Sequence, residues 1–297
     1  RTREMSYIDN ENLIEDLMQR KEFNWLQRWN NKSDKLLEKE LIPRFLLDDA
    51  IKNSMNLKLS SYQLFVQNFI NPSTPYKRLL MQWATGTGKT IGMISIAMNF
   101  ITRYRLEQES GNIEIGTVFI IGFSKRVFMN ELLKFQEFGF LTKSEKLKMQ
   151  HLKKLAMNGI PNDVNLYKEF ITKIKKRFTN RKYNGFFKFY GYKEFVNKIF
   201  ITNKDIDINS LPEEKIKLAI EEGKIQLNKE LAIQFKNSLI LCDEIHNVYN
   251  SLEKNNWGIA IQSVLDKEPT CKAIFMSATP INNSPTEIID LINLLVP

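Results

Sequence analysis

Thr85-Gly86-Thr87-Gly88-Lys89-Thr90 sets two glycines, a lysine and a hydroxyl ahead of a segment whose apolar residues (Met93, Ile94, Ala97, Met98, Ile101) recur at helical spacing. Glycines let the backbone curl so that successive N–H groups converge, and a helix N-terminus adds partial positive charge. Together they make a phosphate cradle. Lys89 can reach the β- and γ-phosphates of a nucleotide, and the Thr90 hydroxyl can take one position on Mg²⁺. The full pattern asks for Gly or Ala five residues before Gly88, where this chain has Trp83. Alone, the stretch also fits a glycine turn before an ordinary core helix.

A second acid-bearing stretch follows the apolar run Ser238-Leu-Ile-Leu-Cys242: Asp243-Glu244-Ile245-His246. An apolar strand that delivers two carboxylates to its tip can place Mg²⁺ chemistry beside a phosphate loop. Asp243 would hold the metal through water, Glu244 would orient or deprotonate the attacking water, and His246 would couple the site to its neighbours. A solvated turn is the plain alternative. The run Lys272-Ala-Ile-Phe-Met276 leads into Ser277-Ala278-Thr279, whose hydroxyls can hydrogen-bond the acidic stretch and sense the γ-phosphate.

These residues need a scaffold, and short apolar runs at 79–81, 117–121, 238–242 and 272–276 read as buried parallel strands. The fold expected is therefore α/β, a mostly parallel sheet flanked by helices. Gly122-Phe-Ser124-Lys125-Arg126 follows the second run, with a helix expected from about 127 to 138. Ser124, Lys125 and Arg126 can hold a nucleic-acid phosphate, or they form a basic loop without a ligand. Gln63, 26 residues before Lys89, has the donor and acceptor sides that suit an adenine edge, and equally suits solvent at a helix start. Ser210 and Glu213 have the spacing of a capping box for a helix at 212–222. Residues 1–58 read as an amphipathic helical layer.

The chain has 297 residues, is 43% hydrophobic and carries a net charge of +9, which favours a polyanionic partner over a merely solvated basic face. Residues 142–200 hold fifteen Lys/Arg against four acids, with aromatics interleaved toward the end. The basic groups are expected to face solvent or nucleic acid, and most of the aromatics the core. Two cysteines, Cys242 and Cys271, exclude a disulfide framework and suit a reducing compartment. No apolar run reaches the ~18 residues of a membrane span. The chain starts at Arg1 and stops at Pro297, so a fragment of a longer protein is expected.

Taken together and in this order, the phosphate loop, the Asp-Glu-x-His strand tip and the Ser-Ala-Thr stretch resemble the first RecA-like domain of superfamily 2 helicases and translocases. The resemblance covers about 59–140 and 186–297, with 142–185 as a basic insertion and 1–58 as an N-terminal extension. It assigns Thr85, Gly86, Thr87, Gly88, Lys89 and Thr90 to the nucleotide, Gln63 to adenine, and Lys89, Asp243, Glu244 and His246 to catalysis. Thr90 and Asp243 would hold Mg²⁺, Ser277, Ala278 and Thr279 would couple the sites, and Ser124, Lys125 and Arg126 would touch nucleic acid. Asp243-Glu-Ile-His-Asn247 and Ser277 to Ser284 are similar to the Swi2/Snf2-like branch. The insertion, Trp83 and the Lys/Asn/Ile-rich composition resemble proteins of poxviruses and related large cytoplasmic DNA viruses, of the nucleoside triphosphatase I and early transcription factor small-subunit types, including asfarvirus helicase-like proteins.

That resemblance implies an ATP- and Mg²⁺-dependent motor on DNA or RNA in viral transcription, in the host cytoplasm and the virion. Its partner would be a transcription complex or second subunit, and no membrane is involved. It also implies that a second RecA-like domain, outside these 297 residues, supplies an arginine finger, so slow hydrolysis is expected of this chain by itself. The alternative is an ATP-gated nucleic-acid-binding or assembly subunit without motor activity.

Overall fold

The computed structural model describes residues 61–72, 74–83, 88–109, 111, 114, 116–134, 138–183, 185–202, 206–249, 257–279 and 286–296. The helical layer expected at 1–58 lies outside the described residues, as do Thr85, Gly86 and Thr87. Two compact units divide the chain, 1–69 and 70–297. The described part of the first is α1 (Ser61–Phe69), with Gln63 in its first turn.

In chain order the second unit runs β1 (Arg78–Gln82), α2 (Lys89–Glu109), β2 (Val118–Ile121), α3 (Lys125–Lys134), α4 (Lys143–Ala156), α5 (Pro161–Lys175), β3 (Phe187–Tyr190), α6 (Tyr192–Ile199) and β4 (Phe200–Thr202). It continues with α7 (Glu213–Glu221), β5 (Ile225–Leu227), α8 (Lys229–Ala232), β6 (Leu239–Cys242), α9 (Trp257–Lys267), β7 (Lys272–Ser277) and α10 (Thr286–Leu295). Five strands form one sheet in the order β1-β7-β6-β2-β3, and every pairing is parallel. Strands β4 and β5 make a separate antiparallel pair.

The apolar runs become inner strands because a parallel sheet covered on both faces buries every side chain. Strands β2, β6 and β7 are buried from end to end. Alternate residues divide between the faces. Phe119, Ile121, Ile240, Cys242, Ala273 and Phe275 share a core with residues of α6, α7, α9 and α10. On the other face Phe128 of α3 meets the rings of Phe187 and Phe189 edge-on, each at 5.6 Å. At the rim, Lys272 is buried at the start of β7. Its ammonium donates to the Asn71 carbonyl and, at 2.6 Å, to that of Thr74, which holds the turn ahead of β1. Arg78 donates to the Leu294 and Val296 carbonyls (3.1 and 2.7 Å) and so caps α10.

Two local expectations are corrected. Helix α3 starts at Lys125, since the Ser124 carbonyl already accepts the Phe128 N–H (3.0 Å), and it ends at Lys134. Ser210 does not cap α7: its hydroxyl donates to the Asp207 carbonyl (2.8 Å) inside a 3₁₀ turn, and Pro212 sits at the cap with no side-chain hydrogen bond. A capping box does form at α4, where Thr142 Oγ1 accepts the Glu145 N–H (3.2 Å) and Glu145 Oε2 accepts the Thr142 N–H (3.1 Å).

The basic stretch falls into two parts. Residues 142–183 make the α4–α5 hairpin and two 3₁₀ turns, while 187–200 supply the edge strand β3 and helix α6. Phe186, Phe187, Tyr192, Phe195 and Phe200 are buried as expected, and Tyr183 is exposed.

Candidate functional site

Since all five strands are parallel, their C-terminal ends share one edge of the sheet, where open α/β folds bind ligands. There β1 ends one residue before Trp83, β6 ends at Cys242 with Asp243-Glu244 directly after it, β7 ends at Ser277, and β2 runs into Gly122 and Ser124. Gly88 has φ +78° and its carbonyl accepts the Gly92 N–H (2.9 Å), so the first turn of α2 forms directly behind it. Lys89 therefore projects from the helix start. Its Nζ lies 2.9 Å from Asp243 Oδ1 and 2.8 Å from Glu244 Oε1.

Lys89 and Asp243 are largely shielded, with side chains 12% and 16% exposed. Burial works against the Lys89 charge, but the two carboxylates outweigh it and raise the amine above the ordinary lysine value. Burial dominates for Asp243, whose carboxyl stays above its usual range despite Lys89. Two carboxylates around one ammonium leave a net negative charge at a phosphate-loop helix. The Asp243 carboxylate beside Lys89 is a hard-oxygen donor of the kind that Mg²⁺ takes, and the Thr90 hydroxyl, next to Lys89 in sequence, is another.

The acidic tip is held from three sides. Asp243 N–H extends the ladder to the Ile121 carbonyl (3.0 Å). The Tyr192 hydroxyl donates to the Asp243 carbonyl (2.6 Å), and its ring stacks on Trp257 at 5.2 Å. Gly122, at φ +78°, lets β2 pass so close that a Cβ there would sit 2.7 Å from the Asp243 oxygen. Glu244 is left-handed (φ +51°), a conformation costing about 1–3 kcal/mol for a non-glycine residue. Its N–H is taken up by Asp243 Oδ1 (3.0 Å) and its carbonyl by the Asn247 N–H (2.9 Å). Sequence reading missed Tyr192 and Gly122 as supports of this tip. Nothing in the local sequence separates the Tyr192 hydroxyl from the neighbouring aromatics, although a glycine directly after an apolar strand is a signal for close approach.

His246 Nδ1 pairs with Ser277 Oγ at 2.7 Å and lies 3.4 Å from Glu244 Oε2. Ser277 Oγ also accepts the Thr279 N–H (3.0 Å), and the Ser277 carbonyl accepts the Trp83 N–H (3.2 Å). The acidic tip, the β7 tip and the approach to the glycine turn are thereby connected. Ser277 makes the expected contact by its hydroxyl, and Thr279 contributes its backbone. Ser124, Lys125 and Arg126 are exposed at the start of α3, with Lys125 Nζ 5.8 Å above the Phe189 ring. Gln63 belongs to the other unit.

Residues 49–282 match the family described as "Type III restriction enzyme, res subunit". The chain belongs to this helicase family. It is 41% identical over 270 residues to the "Early transcription factor large subunit homolog" of African swine fever virus, covering 81% of this chain and 24% of that one. It is 30% identical over 246 residues to the "Putative ATP-dependent RNA helicase L377" of Acanthamoeba polyphaga mimivirus, covering 82% of this chain and 19% of that one. The chain therefore spans a quarter or less of the length of these relatives. The resemblance in sequence points to the small-subunit type, whereas the asfarvirus relative is named for the large subunit. The superfamily 2 reading and the viral relatives agree with the mainly parallel sheet.

Proposed function

We propose that this chain is the nucleotide-binding domain of an ATP-driven motor on nucleic acid that serves viral transcription. The observation that carries the reading is Lys89 held between Asp243 and Glu244, where a helix start meets a strand end. When ATP enters, Lys89 turns from the carboxylates to the β- and γ-phosphates, which the motif Thr85 to Gly88 also binds. Asp243 and Thr90 would hold Mg²⁺, which offsets the phosphate charge. Glu244 then stands free to orient water and accept its proton. His246 carries the state of Glu244 to Ser277 and Thr279, and Ser124, Lys125 and Arg126 hold the nucleic-acid backbone.

In this reading residues 59–297 are the first RecA-like domain, 142–185 an insertion and 1–58 an extension. A second RecA-like domain supplies the arginine finger, typically worth about 10³–10⁵ in rate. The name of the asfarvirus relative supports a partner subunit within a transcription factor, and with that reading goes work in the infected cell's cytoplasm. The test is ATP hydrolysis with and without DNA or RNA, for wild type and Glu244→Gln. Wild type is expected to be stimulated, and the variant to bind ATP without turning it over. A variant as active as wild type removes Glu244 from the chemistry. Hydrolysis that nucleic acid leaves unchanged favours an ATP-gated binder.

A further inference from the structure

The α4–α5 hairpin and the two 3₁₀ turns at its root together carry the net charge of the whole chain. Residues 142–183 hold twelve Lys/Arg and three acids, a net of +9, against 43 and 34 in the chain. The remainder has 31 of each sign and is neutral. Of the three acids, Glu145 is committed to Arg177 (2.6 and 2.9 Å) and to the Thr142 cap. Among the described residues, none of the nine lysines from Lys143 to Lys176 makes an ion pair. Helix dipoles account for some of them: Lys153 and Lys154 end α4, and Lys173 and Lys175 end α5. Of the other five, Lys176 is the C-cap residue of α5 and Lys148 lies 5.4 Å over the Phe170 ring, while Lys143, Lys146 and Lys168 have no such reason to be there.

Core packing does not explain the hairpin either. Helix α4 buries no side chain, and α5 buries Ile174 alone. The arm is fixed at its root, where Phe178 packs on Phe140 (4.8 Å) and Arg177 donates to the Phe140 carbonyl (3.1 Å). Fourteen helical residues then carry α4 about 21 Å along its axis to the connection Met157–Ile160. That tip is apolar and open: Met157 is 79% exposed and Ile160 52%. At the inner end, burial and then the charge of nearby Arg126 push the Lys175 amine below its ordinary value, which sets the root of the arm beside the start of α3. Uncompensated positive charge on a rigid, mostly unburied element suits a polyanion, and exposed apolar side chains at its end suit the faces of bases.

We propose that the α4–α5 hairpin is a nucleic-acid-binding arm that extends the track beyond Ser124–Arg126, its lysines on phosphates and its Met157–Ile160 tip against bases. This rests on the reading that the chain works on nucleic acid. The arm binds backbone rather than sequence, so its contribution is salt-dependent and nearly the same for any base order.

The test uses the full chain and a labelled DNA duplex with a single-stranded tail, with the matching RNA in parallel. Affinity is followed against salt for wild type and for a variant with Lys143, Lys153, Lys154 and Lys168 all changed to Gln. All four are exposed, so the fold should hold, which thermal melting checks. The expected result is weaker binding and a log–log salt slope shallower by about 0.9 for each duplex phosphate that the variant no longer neutralises. Affinity for an ATP analogue should stay unchanged. Met157→Ser with Ile160→Ser should weaken binding without changing the slope, because apolar contacts release no counterions. A lysine variant that binds with wild-type slope overturns the proposal and leaves the arm as a docking element for an acidic protein. A tip variant with wild-type affinity overturns the base contact. If wild type binds neither DNA nor RNA, the wider nucleic-acid reading falls as well.

Discussion

Gly122→Ala tests how the fold positions the acidic tip. An alanine Cβ at Gly122 would lie 2.6 Å from Tyr192 Cε2 and 2.7 Å from the Asp243 carbonyl oxygen. Ordinary carbon contacts begin near ~3.5 Å, so the ring and the carbonyl must each give way by roughly 0.8 Å. Either movement strains the 2.6 Å hydrogen bond between them. The left-handed backbone (φ +78°) adds its own penalty. Together these effects should cost about 2–5 kcal/mol, ~1–2 from the backbone and ~1–3 from overpacking.

Gly223→Ala is the internal control. Gly223 shares the left-handed backbone (φ +73°), but a Cβ there meets nothing within 4 Å, so only the backbone penalty applies. Urea melts of both variants separate the two effects. Displacing Asp243 by about 1 Å should also slow ATP turnover on the order of 10²-fold, whereas Gly223→Ala should leave it alone. Equal stability losses in the two variants, with equal turnover, would refute the claim that close packing at Gly122 places Asp243.

Other outcomes follow from the same geometry. Ser277→Ala removes the 2.7 Å hydrogen bond to His246, so ATP affinity should hold while stimulation of hydrolysis by nucleic acid falls; unchanged stimulation would remove Ser277 from the coupling path. The Arg177 guanidinium, with the Thr142 N–H, holds the Glu145 carboxyl at about 2, against 4.5 for an ordinary glutamate. Because the folded value is depressed, this clamp stabilises the root of the arm above pH 4.5 and is lost as pH falls from 4.5 toward 2. With solvent screening the effect should be only about 1 kcal/mol, read as hydrogen exchange in α4 and α5, and Glu145→Gln should abolish its pH dependence.

Much of the scaffold was legible because parallel strands covered on both faces read as unbroken apolar runs, and each run expected here became a strand. The acids were legible for a related reason: charged residues directly after such a run have nowhere to go but the sheet's edge. What joins them is not local. Lys89 meets Glu244 across 155 positions and Tyr192 meets Asp243 across 51, and no periodicity encodes those distances. The cap at α7 misled for a simpler reason. Ser210 and Glu213 have the right spacing, but Pro212 occupies the cap itself and Asp207 offers Ser210 a nearer acceptor. The charge of 142–200 was visible as composition, yet only the structure separates its basic hairpin from its buried aromatic strand and helix.

The central claim is that Lys89, Asp243 and Glu244 form a nucleotide site. The most direct measurement is equilibrium binding of a fluorescent ATP analogue with Mg²⁺ to wild type and to Lys89→Ala, alongside a melting curve for each. The account predicts saturable binding by wild type, and an affinity lower by at least about tenfold in a folded variant, matching loss of a charge-assisted hydrogen bond worth ~1.5–3 kcal/mol. A folded Lys89→Ala protein that binds the analogue as tightly as wild type would contradict it.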